Sequence, residues 1–169
     1  MNRDQALEEL KLRLTDTHVL TRSLIVEAMM QELAMHFNAD TQLWGMAGLL
    51  HDIDFQKTID QPDMHGVLGA EILENLNVDS SIVYSVKAHN NSNNIPRKRK
   101  LDKSLYLCDY IAEVALSYYN SNLPDIKEKT EEVVLKHIDV ENLTPEIDEI
   151  GLSTRDLIKL ALKVMETII

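Results

Sequence analysis

Leu43-Trp44-Gly45-Met46-Ala47-Gly48-Leu49-Leu50-His51-Asp52 is an apolar run that ends in an imidazole and a carboxylate. The run reads as a buried helix, and its two polar residues fall where that helix meets a loop. His and Asp together can bind one divalent metal, through nitrogen and oxygen respectively. The pair alone carries little weight. Six His and 14 Asp in 169 residues give about half a His-Asp pair by chance. What matters is whether the rest of the chain supplies matching ligands.

Outward from this stretch the pattern is helical. Residues 4–14 place Leu7, Leu10 and Leu14 at helical spacing. Thr15-Asp16-Thr17 offers N-cap chemistry for a long helix over 17–36, with an apolar stripe of Leu20, Leu24, Ile25, Ala28, Met29 and Leu33. Asp40 or Thr41 caps the helix that runs into His51. Asp60, Pro62 and Asp63 predict a loop over 52–64. Helices are expected over 65–76, 79–89, 102–119, 124–138 and 154–168. The polar stretch from Asn90 to Pro96 reads as a loop, and the basic run Arg97-Lys98-Arg99-Lys100 leads into the helix that follows it. No strand is needed. The expected fold is all-α, a single domain over 1–169, built as an irregular helical bundle with a central pocket at converging helix ends.

Composition narrows the function classes. Apolar residues are 44% and charged residues 27%, ordinary for a soluble globular protein. The net charge of −11 disfavours nonspecific binding to nucleic acid or an anionic membrane. A small phosphorylated ligand stays open, because a local metal or basic cluster can override the global field. No apolar run approaches the roughly 20 residues of a membrane span. The N-terminus lacks the charged-then-apolar order of a signal peptide. The single cysteine, Cys108, suits a reducing cytosol, so a cytoplasmic location is expected. It reads as core filling, as do Met29, Met30, Met35 and Met46. The charged residues Lys127, Glu128, Lys129, Glu131 and Glu132 read as a wet helix face. The C-terminal stripe of Leu157, Leu160, Ala161, Val164 and Ile168 reads as core or as a homo-oligomer contact.

The further ligand candidates are Asp109, His65 and His89. Asp109 lies among Leu105, Tyr106, Leu107, Cys108, Tyr110 and Ile111, where a buried carboxylate is costly unless paired or metal-bound. His65 opens one helix and His89 closes another, and several helix ends can converge on one point. Each taken alone is ordinary. Together with His51 and Asp52 they form a His/Asp set.

In this order the residues resemble the HD-domain superfamily of metal-dependent phosphohydrolases. The resemblance is carried by Trp44 to Asp54, His65-Gly66, Gly69-Ala70-Glu71-Ile72-Leu73, Ala88-His89-Asn90 and Leu105-Tyr106-Leu107-Cys108-Asp109. It covers about residues 17–119 and leaves the helices of 120–169 unassigned. It implies His51, Asp52 and Asp109 as metal ligands. In two-metal members, histidines placed like His65 and His89 serve a second ion, with Asp52 as the bridge. The implied cofactor is one or two divalent ions, drawn from Mn, Fe, Co, Ni, Zn or Mg.

The resemblance breaks at one position. The family's first ligand is a His on the long helix, and the matching residue here is Arg22, which cannot ligate a metal. His18 lies four residues earlier on the same helical face, about 6 Å along the axis. It either substitutes as a ligand or is a near-surface residue beside the cap. Arg22 either binds substrate phosphate through its planar fork or pairs with Asp52 or Asp109 in place of a metal. Asp54 either activates water, holds an imidazole or is an exposed loop residue. Lys57 and the basic run of 97–100 are phosphate contacts or solvated charges. His65 and His89 are candidates for substrate binding as well as for metal.

The function implied by the resemblance is hydrolysis of a phosphate ester in a nucleotide or similar small metabolite. The catalytic candidates are Asp52 and Asp54. The alternative is an HD-fold protein with impaired catalysis that binds a small anion or regulates a partner.

Overall fold

The computed structural model of the chain describes residues 1–120 and 131–169, and these are all-helical with no strand. Helices α1 (Arg3–Arg13), α2 (Thr17–His36) and α3 (Thr41–Leu50) come first. Asp16 caps α2 by accepting from the His18 backbone N–H at 2.8 Å, and Asp40 caps α3 through the Gln42 and Leu43 N–H groups. These caps satisfy donors that the first helical turn leaves unpaired. The segment after Asp52 is more ordered than expected. It forms a single helical turn, α4 (Phe55–Thr58), and a 3-10 turn over Pro62–Met64. Then come α5 (Val67–Asn75), α6 (Ser80–His89) and α7 (Lys100–Asn120).

In the C-terminal third lie α8 (Glu131–Leu135), α9 (Val140–Ile150) and α10 (Thr154–Ile168). Residues 124–130 of the expected helix over 124–138, with Lys127, Glu128 and Lys129, lie outside the described residues. Glu131 and Glu132 open α8, and Glu131 pairs with Arg155 at 2.5 Å. Helix α9 falls between the expected helices of 124–138 and 154–168, and it holds Pro145 in its interior. Its interior proline forfeits one backbone bond at a cost of about 3 kcal/mol. Leu143, Ile147 and Ile150 are all buried on one face, at about 1.5–3 kcal/mol each, so burial prevails.

Helix α2 is the axis of the bundle and packs on α3, α7 and α10. Its approach to α3 depends on Gly48, where a Cβ would lie 2.8 Å from the Val26 carbonyl oxygen. The buried face of α2 is rotated from the expected stripe. It keeps Ile25, Met29 and Leu33 of that stripe and extends through Val19, Arg22, Ser23, Val26 and Met30, while Leu20, Leu24 and Ala28 are only partly buried. Arg22 therefore points into the bundle. Met29 and Met30 are fully buried as expected, but Met35 is 59% exposed, since it lies on the opposite side of α2. Cys108 is buried among apolar neighbours, and burial raises its thiol pKa. Leu157, Ala161 and Val164 are core, with Leu160 and Ile168 packed against it. No helix among the described residues is long and apolar enough to cross a membrane.

Candidate metal centre

Four helix ends and the middle of two helices meet at Asp52. The end of α3 delivers His51, whose Nδ1 donates to the Gly48 carbonyl at 2.7 Å. That bond places a hydrogen on Nδ1 and turns Nε2 inward. His51 Nε2 lies 3.1 Å from Asp109 Oδ1 and 3.2 Å from Asp52 Oδ2. His89, at the end of α6, is oriented in the same way: its Nδ1 donates to the Val86 carbonyl at 2.6 Å. His65, between the 3-10 turn and α5, donates from Nδ1 to Asp54 Oδ1 at 3.0 Å. All three rings are thus pinned at Nδ1 and present Nε2 to the centre.

Asp52 is fully buried. Its Oδ2 faces His51 and Arg22, and its Oδ1 faces His65 Nε2 at 3.3 Å and His89 Nε2 at 4.0 Å. Oδ1 accepts no hydrogen bond of acceptable geometry. The two facing Nε2 atoms of His65 and His89 are 3.1 Å apart. Two groups of ligand atoms result, Asp52 with His65 and His89, and His51 with Asp52 and Asp109. Asp52 belongs to both. A buried oxygen without a hydrogen bond, opposed to two imidazole Nε2 atoms, fits a divalent cation that displaces the His65 proton.

Asp54 is also fully buried, and its oxygens are committed. Oδ2 accepts from the Gly66 and Gly69 backbone N–H groups at 2.8 and 2.7 Å, and Oδ1 from His65. Of its two expected roles, the geometry presents the imidazole-holding one. Gly66 adopts φ +81°, and a Cβ there would lie 2.8 Å from the Val86 oxygen, so only glycine lets α5 start beside α6. The carbonyl of His65 accepts from Asn90 Nδ2 and Asn93 Nδ2 at 3.0 and 2.7 Å. The polar loop after α6 is therefore a clamp on the His65 backbone.

Arg22 donates from Nε to Asp52 Oδ2 at 3.0 Å, and from Nη2 to the same oxygen. Its Nε lies 3.5 Å from Asp109 Oδ1, and Nη1 donates to Glu113 Oε2 at 2.6 Å. Its guanidinium also lies 5.3 Å from the centroid of the Phe55 ring. Glu113 was not among the expected site residues, although it follows Asp109 by four positions on α7 and so shares its face. His18 lies 3.4 Å from Glu113 and joins neither ligand group. Lys57 is exposed on α4, and no ion pair among the described residues ties it to the centre.

The basic run is built into the structure. Arg97 pairs with Glu146 at 2.7 Å and stacks on Tyr106 at 3.8 Å, so it bridges α7 and α9. Arg99 pairs with Asp102 at 2.6 Å, and Lys100 lies over Phe37.

Charges within the centre sustain one another. Burial would raise the Asp52 and Asp109 carboxyls, but His51 and Arg22 hold Asp52 well below its usual range and Asp109 down to about 2. Burial would lower His51, but Asp52 and Asp109 raise it to about 10. The His65 ring, also opposed by burial, is raised to about 9 by Asp52 and Asp54. Burial, with the His51 charge, pushes His89 down to about 4. Protons on His51 and His65 thus occupy positions that a divalent cation competes for, so ion binding and proton release are linked.

The sequence profile of the HD domain matches residues 19–165. No curated protein matches the chain at a significant level.

Proposed function

Because the chain belongs to the HD-domain family, whose type is the metal-dependent phosphohydrolase, we propose that it hydrolyses a phosphate ester of a nucleotide or similar small metabolite. The observation that carries this reading is Asp52 Oδ1, a buried carboxylate oxygen without a hydrogen bond, facing the Nε2 atoms of two rings pinned at Nδ1. Asp52, His65 and His89 would hold a divalent ion. Such an ion, when bound, activates water near neutral pH and polarises a phosphoryl oxygen. Asp54 positions His65 through Nδ1. Asp109 and Glu113 lie at the exposed side of the centre, with side chains 22% and 40% accessible, so a phosphate approaches past two carboxylates. The repulsion makes a cation at the centre a condition for substrate binding.

One observation favours a second reading. Arg22 is bonded to the carboxylate that the family uses as a metal ligand, which suits a protein with impaired catalysis that binds a small anion or regulates a partner. The two readings separate on metal content and turnover. Protein purified without chelator is assayed for bound metal, and for phosphate release from a nucleotide panel with Mn²⁺, Fe²⁺, Co²⁺, Ni²⁺ and Zn²⁺. The expected result is bound metal, with hydrolysis that disappears in Asp52→Ala. A folded protein with neither metal nor turnover across all five ions overturns the enzyme reading.

A further inference from the structure

The two ligand groups that share Asp52 are not equivalent. On one side, Asp52 Oδ2, Asp109 Oδ1 and His51 Nε2 converge, and a protein cation already lies among them. Arg22 sends Nε and Nη2 to Asp52 Oδ2, approaches Asp109 Oδ1 at 3.5 Å and sends Nη1 to Glu113. Its N–H hydrogens occupy the lone pairs that a metal would need. The side chain is 10% exposed, and its guanidinium lies over the Phe55 ring, 5.3 Å from the centroid. A guanidinium stays protonated at any relevant pH. A divalent ion in the same half would face a permanent like charge without intervening solvent.

On the other side there is no protein cation of this permanence. Asp52 Oδ1 has no hydrogen bond, and the His65 and His89 Nε2 atoms face each other at 3.1 Å. Both rings are held from behind, by Asp54 and by the Val86 carbonyl. One half of the centre is closed by charge, and the other is electron-rich and oriented.

We infer that Arg22 serves as a built-in cation in the Asp52–Asp109 half of the centre, so that the chain holds a single divalent ion, on Asp52, His65 and His89. The inference rests on the metal-dependent reading above and states where the ion sits and how many there are. It makes Asp109 a partner of a guanidinium, and His51 a partner of the Asp52 and Asp109 carboxylates, instead of metal ligands. It also separates Arg22 from phosphate recognition, because its donors face the protein's own carboxylates. A guanidinium supplies positive charge and orientation but cannot activate water, so all water activation falls to the single ion.

The test counts and locates the ion without using activity. Full-length protein is loaded with Mn²⁺, desalted and analysed for manganese per chain, with Mn²⁺ titration calorimetry beside it. One ion per chain is expected, retained in His51→Gln and lost in His89→Gln. Arg22→His is expected to take up a second ion. Should these variants fail to fold, crystals of the unaltered protein grown with Mn²⁺ give the position directly by anomalous scattering. A single peak beside the His65 and His89 Nε2 atoms supports the inference. Two ions in the unaltered protein, or one ion beside His51 and Asp109, overturn it and leave the metal-dependent reading standing. No ion with any of the five metals above overturns both.

Discussion

Asp54 Oδ1 and His65 Nδ1 are 3.0 Å apart, and this one bond decides which nitrogen of His65 faces Asp52. The carboxylate can only accept, so Nδ1 carries a hydrogen, and Nε2 is the nitrogen that can give up its proton to a cation beside Asp52. Replacing Asp54 by Asn separates this effect from its structural one. The Asn oxygen keeps the two backbone N–H groups of Gly66 and Gly69, while its NH₂ faces Nδ1 and drives the ring hydrogen to Nε2. Metal affinity is expected to fall about 10–100-fold in Asp54→Asn. In Asp54→Ala a loss of stability of about 1–3 kcal/mol is added, because two buried donors lose their acceptor. Calorimetry with Mn²⁺ beside urea unfolding of both variants checks this; equal stability losses would refute the division.

Gly48→Ala tests the contact that holds α2 against α3. The new Cβ meets the Val26 oxygen at 2.8 Å and the Glu27 backbone at 2.9 Å, neither of which is a movable side-chain end. A loss of about 1–3 kcal/mol is expected. At Gly151 nothing lies within 4 Å of an added Cβ, so Gly151→Ala costs only its left-handed φ of +75°, about 1 kcal/mol. Urea midpoints for the two proteins give the ranking.

Pro145→Ala is expected to stabilise α9. The substitution restores an amide donor in the interior of the helix and removes ring crowding against the preceding turn. Part of that gain is offset by greater freedom in the unfolded chain, about 0.4–1 kcal/mol. A net gain of about 1–2 kcal/mol should appear as a higher Tm. A lower Tm would mean that the proline is fitted to its site.

Asp102 gives the protein an acid-sensitive joint remote from the centre. Burial would raise its carboxyl pKa, but Arg99 and Ser85 hold it below the usual range. The Lys98 and Arg99 backbone N–H groups also donate to it at 3.1 and 2.9 Å, so it anchors the start of α7. A depressed folded pKa means that the contribution is complete above the unfolded value, about 3.9, and is lost as pH falls through the folded value. Asp102→Asn should therefore be less stable than the parent at pH 7 by about 1–3 kcal/mol. The difference should shrink below about pH 4. Tm values across pH 7 to 2 make the comparison.

The fold was most legible where its determinants are local. Helix α2 runs over Thr17–His36 as expected, because Asp16 caps it and the apolar spacing lies within it. Helix α10 likewise matches 154–168, with a capping box of Ser153 and Asp156. Helix α9 was not among the expected helices; its interior Pro145 opposes the helix locally, and the burial of Leu143, Ile147 and Ile150 that outweighs it appears only in packing. At the centre, the order of His51, Asp52, His65, His89 and Asp109 was readable because each sits at or near a helix end or in an apolar run. The partners of Arg22 were not all readable. Two readings of that residue were open, and only the folded chain shows its N–H groups directed at Asp52, Asp109 and Glu113. Arg97 read as a phosphate contact or a solvated charge because its carboxylate partner, Glu146, is 49 residues away in sequence.

The span from Arg22 to Glu113, 91 residues, has a consequence during synthesis. A ribosome delivers α2 and α3 well before α7. Until Asp109 and Glu113 emerge, Arg22 lacks two of its three carboxylates, and burying it would leave charge unpaired. Full pairing of Arg22 is therefore expected only once α7 arrives. Completion of the centre waits on α7, so a chain truncated before Asp109 should behave as an incomplete bundle, open to proteases at α2.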